Sequence, residues 1–116
     1  MSKVIFLLED DALIAMDLAE RIEGLGHQVL GPASNLEEAD ALLEKQTPDA
    51  AFLDANVHGK SSVALAERLQ GMGVRVAFCT GYEAIAGLPP TLKRAPLLRK
   101  PISDDQLEQA TRALLA

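Results

Sequence analysis

Apolar residues in this chain come in short solid blocks separated by longer stretches of mixed pattern. Val4-Ile5-Phe6-Leu7-Leu8 is continuously apolar, as a strand covered on both faces must be, and it breaks into Glu9-Asp10-Asp11. Asp10 or Asp11 can cap the helix that follows. Its apolar stripe is Leu13, Ile14, Leu18, Ile22 and Leu25, and Gly24 and Gly26 mark its end. Residues 27–33 predict a weaker second strand that reaches Gly31-Pro32. Asn35 caps a second helix with Leu36, Ala39, Leu42 and Leu43 inward, stopped before Pro48. Residues 50–53 form a third strand, and a loop through Gly59 leads to a helix carrying Val63, Leu65, Ala66 and Leu69. Gly71 and Gly73 close that helix before a fourth strand over 74–79. Leu97-Leu98 is the core of a short fifth strand, and a terminal helix capped by Ser103 covers 102–115.

Strand and helix alternate at roughly 20–25 residues per unit, which indicates a parallel sheet with helices on both faces. One stretch resists the pattern. Residues 81–95 should hold the fourth crossover helix, yet they contain Gly87 and Pro89-Pro90 and little apolar periodicity. A short or mobile fourth helix is expected there, confined to 83–86.

Composition narrows the picture. A chain of 116 residues is one domain with a single core, and with aromatics at 3% that core must be aliphatic. Eleven Lys and Arg against 17 Asp and Glu leave a net charge of −6. No basic run exceeds two residues, so direct nucleic-acid binding, which needs a basic face, is not expected. The one cysteine, Cys79, cannot form an internal disulfide, which fits a reduced cytoplasm. No apolar run approaches the roughly 18 residues of a spanning helix, so membrane insertion is not expected.

The candidate chemistry lies where the apolar blocks stop. The first ends on Glu9-Asp10-Asp11, the third on Asp54, the fourth on Thr80, and the fifth is followed by Lys100-Pro101. If these loops meet, two or three carboxylates share a pocket with a lysine and a hydroxyl, which suits a divalent cation and a phosphoryl group. Carboxylates a few ångströms apart raise the cost of ionising one another. A magnesium ion removes that penalty and prefers all-oxygen ligands. Asn56 could add its backbone carbonyl. The simpler reading of Glu9, Asp10 and Asp11 is helix capping, and alone it would prevail. Taken with Asp54, Thr80 and Lys100, it does not.

Over its whole length the sequence resembles a two-component response-regulator receiver domain of the chemotaxis-receiver-like kind. The first strand with Glu9-Asp10, the Phe52-Leu53-Asp54 run, Thr80 and Lys100-Pro101 carry the resemblance. It implies a doubly wound α/β fold of flavodoxin-like receiver type, with a five-stranded parallel sheet in order 2-1-3-4-5 and a cis bond at Lys100-Pro101. The site then lies between the first and third strands. It implies Asp54 as phosphoacceptor, with Thr80 and Lys100 binding the phosphoryl oxygens. Mg²⁺ would be held by Asp10, Asp54 and the Asn56 carbonyl, with Glu9 acting largely through water. The partners implied are a sensor histidine kinase or histidine phosphotransfer protein and an unknown downstream protein. The chain is then not an enzyme in its own right, and a monomer or weak dimer is expected. No output domain is expected after the final helix, so the surface over 82–98 would have to carry the output.

Several positions depart from the common receiver pattern. Leu97 stands where many receivers carry Tyr or Phe, His58 where proline is common, and Ser62 where glycine is common. Phe78-Cys79-Thr80-Gly81-Tyr82 resembles a stand-alone subgroup with a Phe-x-Thr-Gly-Tyr signature, in which Tyr82 could take over part of the aromatic role. His27 reads as a surface residue, Cys79 as a small core hydrophobe, and His58 as a neighbour of the pocket. Competing functions are a phosphorylation-independent pseudo-receiver, a phosphate sink or relay intermediate, and an aspartyl phosphatase. The phosphatase reading is opposed by Asn56, where an Asp-x-Asp enzyme carries its second aspartate.

Overall fold

The computed structural model describes residues 2–81, 85 and 87–116. Its elements are β1 (Val4–Leu8), α1 (Ala12–Gly24), β2 (Gln28–Ala33), α2 (Leu36–Lys45), β3 (Ala50–Asp54), β4 (Asn56–Val57), β5 (Lys60–Ser61), α3 (Val63–Gly71), β6 (Arg75–Thr80), β7 (Leu97–Arg99) and α4 (Asp104–Leu115). Five strands form one parallel sheet in order β2-β1-β3-β6-β7. Setting aside the β4–β5 pair, this is the expected order 2-1-3-4-5.

The solid apolar blocks become the central strands because each is covered twice. On one face Phe6, Leu8, Ala51, Leu53, Val76 and Phe78 pack with Ala39, Leu43, Leu65, Ala66 and Leu69 of α2 and α3. On the other, Ile5, Leu7, Phe52, Ala77 and Cys79 pack with Leu18 and Ile22 of α1 and Leu107, Ala110 and Leu114 of α4. Alternate residues of one strand thus serve opposite cores.

The caps fall where side chains could supply them. Asp11 accepts from the Leu13 and Ile14 amides, Asn35 from Glu38, and Ser103 forms a reciprocal capping box with Gln106. Three expectations change. Leu13 is 79% exposed rather than inward. It precedes the buried Ala15 by two residues and so lies about 160° round the helix from it. Leu25, also expected inward, is the C-cap residue of α1 and stands partly exposed. The terminal helix begins at Asp104, after its cap, rather than at 102. The segment expected at 83–86, with Tyr82 before it, lies outside the described residues apart from Ile85. Beyond it the chain makes a short 3₁₀ turn at Pro90–Leu92.

Two differences bear on the site. β3 runs through Asp54 and β6 through Thr80, so both are strand residues held in register rather than loop residues. The loop after β3 folds back as the antiparallel β4–β5 pair, with φ of 51° at His58 and 80° at Gly59. Positive φ at both central residues is what a tight two-residue hairpin turn demands.

Candidate functional site

Glu9 follows β1 directly and is 1% exposed, its amide donating to the Ala33 carbonyl at 3.0 Å. Its Oε2 accepts from the Asp11 amide at 3.0 Å. Its Oε1 lies 2.6 Å from Lys100 Nζ, a charge pair at close range. That pair lacks hydrogen-bond alignment, so the buried oxygen remains without a hydrogen-bond donor among the described residues. Asp10 Oδ2 accepts from the His58 amide at 3.0 Å. Asp54, at the end of β3, is buried; its Oδ1 accepts from the Asn56 amide at 3.2 Å and its Oδ2 lies 3.2 Å from Lys100 Nζ.

Lys100 reaches the pocket because its own amide donates to the Thr80 carbonyl at 2.7 Å, which fixes the start of its side chain to the end of β6. The Lys100–Pro101 peptide is cis, as the resemblance implied. Thr80 is 3% exposed at that same strand end. Five of the six residues singled out from sequence therefore sit at one rim of the sheet. Asn56, the sixth, is exposed and engages Asp54 through its amide.

Donor oxygens of Glu9, Asp10 and Asp54 all lie within 4.8 Å of one another. Three carboxylates so close, one with an orphaned buried oxygen, form an all-oxygen donor set that fits a hard divalent cation. Lys100 is the only cation paired with this group among the described residues.

No family model matches the chain. It is 38% identical over 85 residues to the phyllosphere-induced regulator PhyR of Methylorubrum extorquens, covering 71% of this chain and 32% of that protein. Over 98% of this chain, the solution structure of the PhyR response-regulator receiver domain of Erythrobacter litoralis superposes with a TM-score of 0.82, 25% identity and 90% of that chain covered. The solution structure of SdrG from Sphingomonas melonis Fr1 gives a TM-score of 0.82 at 31% identity, covering 98% of this chain and 97% of that one. The chain belongs to the response-regulator receiver family. It spans about a third of each of the first curated relatives it matches.

The receiver's electrostatics follow from this packing. Burial, and next to it the negative charge of Glu9, push the Asp54 carboxyl up to about 6, against the Asn56 amide and Lys100. The His58 amide holds the Asp10 carboxyl below its ordinary value. Burial alone would lower the Lys100 ammonium, but the close Glu9 carboxylate and the charge of Asp54 outweigh it and the net shift is upward. Cys79, beside Asp54 in the β3–β6 register, is a core residue whose thiol burial pushes up to about 12, so it stays protonated. His27 takes no part in the site and accepts from the Lys3 amide at 3.2 Å through Nδ1.

Sequence reasoning considered the side chain of His58 but missed its amide. A main-chain donor carries no sequence signal beyond the turn at His58-Gly59 that aims it. Leu97, in place of an aromatic, stands 39% exposed on the edge strand β7. No described helix is long and apolar enough to cross a membrane.

Proposed function

We propose that this receiver accepts a phosphoryl group on Asp54 from a phosphohistidine of a sensor kinase or phosphotransfer protein, in a Mg²⁺-dependent reaction. An oxygen of the Asp54 carboxylate attacks phosphorus as the phosphorus–nitrogen bond breaks. The imidazole leaves with the electron pair and is protonated, and Asp54 becomes an acyl phosphate. The observation that carries the reading is the convergence of the Glu9, Asp10 and Asp54 carboxylates, two of them paired with Lys100. Lone carboxylates at strand ends would mean little.

Glu9, Asp10, Asp54 and the Asn56 carbonyl would hold the ion, with Glu9 acting largely through water. When bound, magnesium supplies neutralising charge to the transferring phosphoryl oxygens. Lys100 supplies a second positive charge from the protein side. Thr80 would donate its hydroxyl to a phosphoryl oxygen and draw the end of β6 inward. The added charge, up to about −2, is enough to bias a two-state loop. With Leu97 at the aromatic position, the output route toward a downstream protein runs through other residues.

The chain then acts as a phosphoacceptor, not as a turnover catalyst, and as effector, sink or relay. Retention of every charged member of the site disfavours a phosphorylation-independent module, and Asn56 disfavours an aspartyl phosphatase. Intact mass after incubation with acetyl phosphate and Mg²⁺ tests the reading. One phosphoryl increment is expected on the wild type and none on Asp54→Ala. An increment of equal size on Asp54→Ala would assign the acceptor elsewhere.

A further inference from the structure

Ser62 occupies the N-cap position of α3 but does not cap it. Its backbone sits at φ −94°, ψ 6°, and its hydroxyl makes no bond to the helix amides. The neighbouring Ser61 Oγ instead accepts from the Val63 amide at 3.2 Å. The Ser62 hydroxyl, on a residue with 0% exposure, donates to the Asp54 carbonyl at 2.6 Å. Its amide donates to the Ala55 carbonyl at 3.1 Å, and the Ala55 amide donates to Cys79 at 3.1 Å. One buried residue therefore grips both carbonyls at the acceptor, while β6 holds the peptide between them.

The geometry points to Ser62 as a positioning residue that fixes the main chain of Asp54 and couples α3 to it, an inference that rests on Asp54 being the phosphoacceptor. The β1–β3 register ends at Leu8–Leu53, one residue short of Asp54. The Asp54 carbonyl thus lies past the last β1 pairing, and the hydroxyl takes the place of a strand neighbour. With that carbonyl held, the carboxylate keeps its aim at Lys100 and the Asn56 amide. A glycine at this position has no side-chain donor to offer, so the clamp is a property of the serine.

The test compares two buried hydroxyls. Thr111 is 3% exposed and donates to the Leu107 carbonyl at 2.7 Å, a bond within its own helix α4. Ser62→Ala, Ser62→Cys and Thr111→Ala are compared with the wild type by phosphorylation rate against Mg²⁺ concentration, with acetyl phosphate as donor. Amide hydrogen exchange of Ala55 and Asn56 is followed in the metal-free proteins. Ser62→Ala should lower the maximal rate by about tenfold with half-saturating Mg²⁺ unchanged, and should speed exchange at both amides. Ser62→Cys, a near-isostere and a weak donor, should fall between, and Thr111→Ala should match the wild type. A Ser62→Ala protein with wild-type rate and wild-type exchange overturns the inference. So does a Thr111→Ala protein that loses rate equally. If the wild type takes up no phosphoryl group the acceptor reading fails, and the exchange result then decides the Ser62 clamp by itself.

Discussion

The two rims of the parallel sheet handle polar groups in opposite ways. At the amino-terminal rim charged side chains are exposed and settled: Asp49 Oδ2 accepts the Val4 amide at 2.8 Å, and Arg75 donates to the Ala113 and Ala116 carbonyls at 3.2 and 2.9 Å. At the carboxyl rim Glu9 and Asp54 are buried, share one lysine, and leave Glu9 Oε1 without a hydrogen-bond donor among the described residues. A groove of about 860 Å³ bordered by Arg75, Arg94 and Glu67 opens at the first rim. The chemistry is at the second. Buried carboxylates crowded around one lysine mark the site in this molecule.

Cation removal should separate the rims most sharply. Lys100→Met leaves two buried carboxylates facing each other without a counter-charge and should cost about 3–5 kcal/mol at pH 7.5. Arg75→Met at the opposite rim removes exposed bonds and should cost less than about 1 kcal/mol. Chemical denaturation of both variants measures the difference; equal losses would erase the contrast between the rims.

The acceptor itself should show a smaller effect of opposite sign. The Asp54 carboxyl is raised to about 6 in the fold from an ordinary 3.8. The folded state therefore holds a proton there that the unfolded chain has lost, and stability falls as pH rises through that window. The penalty is complete above about pH 6 and absent below about 4. Asp54→Asn should therefore stabilise the metal-free protein by about 1–3 kcal/mol at pH 7.5 and leave it almost unchanged at pH 4. A variant less stable than the wild type at pH 7.5 would mean that Lys100 more than compensates Asp54.

The carboxyl rim was the easier of the two to read from sequence, for a physical reason. Strands covered on both faces must be solid apolar blocks, so a carboxylate that interrupts one stands out, as Asp54 and Glu9 do. The sheet order and the convergence of Thr80 and Lys100 on those acids came through resemblance to receivers, since separations along the chain do not reveal them. Leu13 was misplaced because residue type was weighed above helical angle. The β4–β5 hairpin was missed because His58-Gly59 is not a common turn pair, and the Asp10–His58 bond went with it. Ser62 was noticed only as a replacement for glycine, because a side chain that spurns its own helix to bond a neighbouring carbonyl looks like an ordinary cap.

The carboxyl rim is held in a crowded, charged state that a cation relieves. The direct measurement is the ¹³C titration of the Asp54 carboxyl with and without Mg²⁺. The expected midpoint is about 6 in the metal-free protein, falling when Mg²⁺ is added because the ion favours the ionised form. A midpoint near the ordinary 3.8, or one that Mg²⁺ leaves in place, would contradict it.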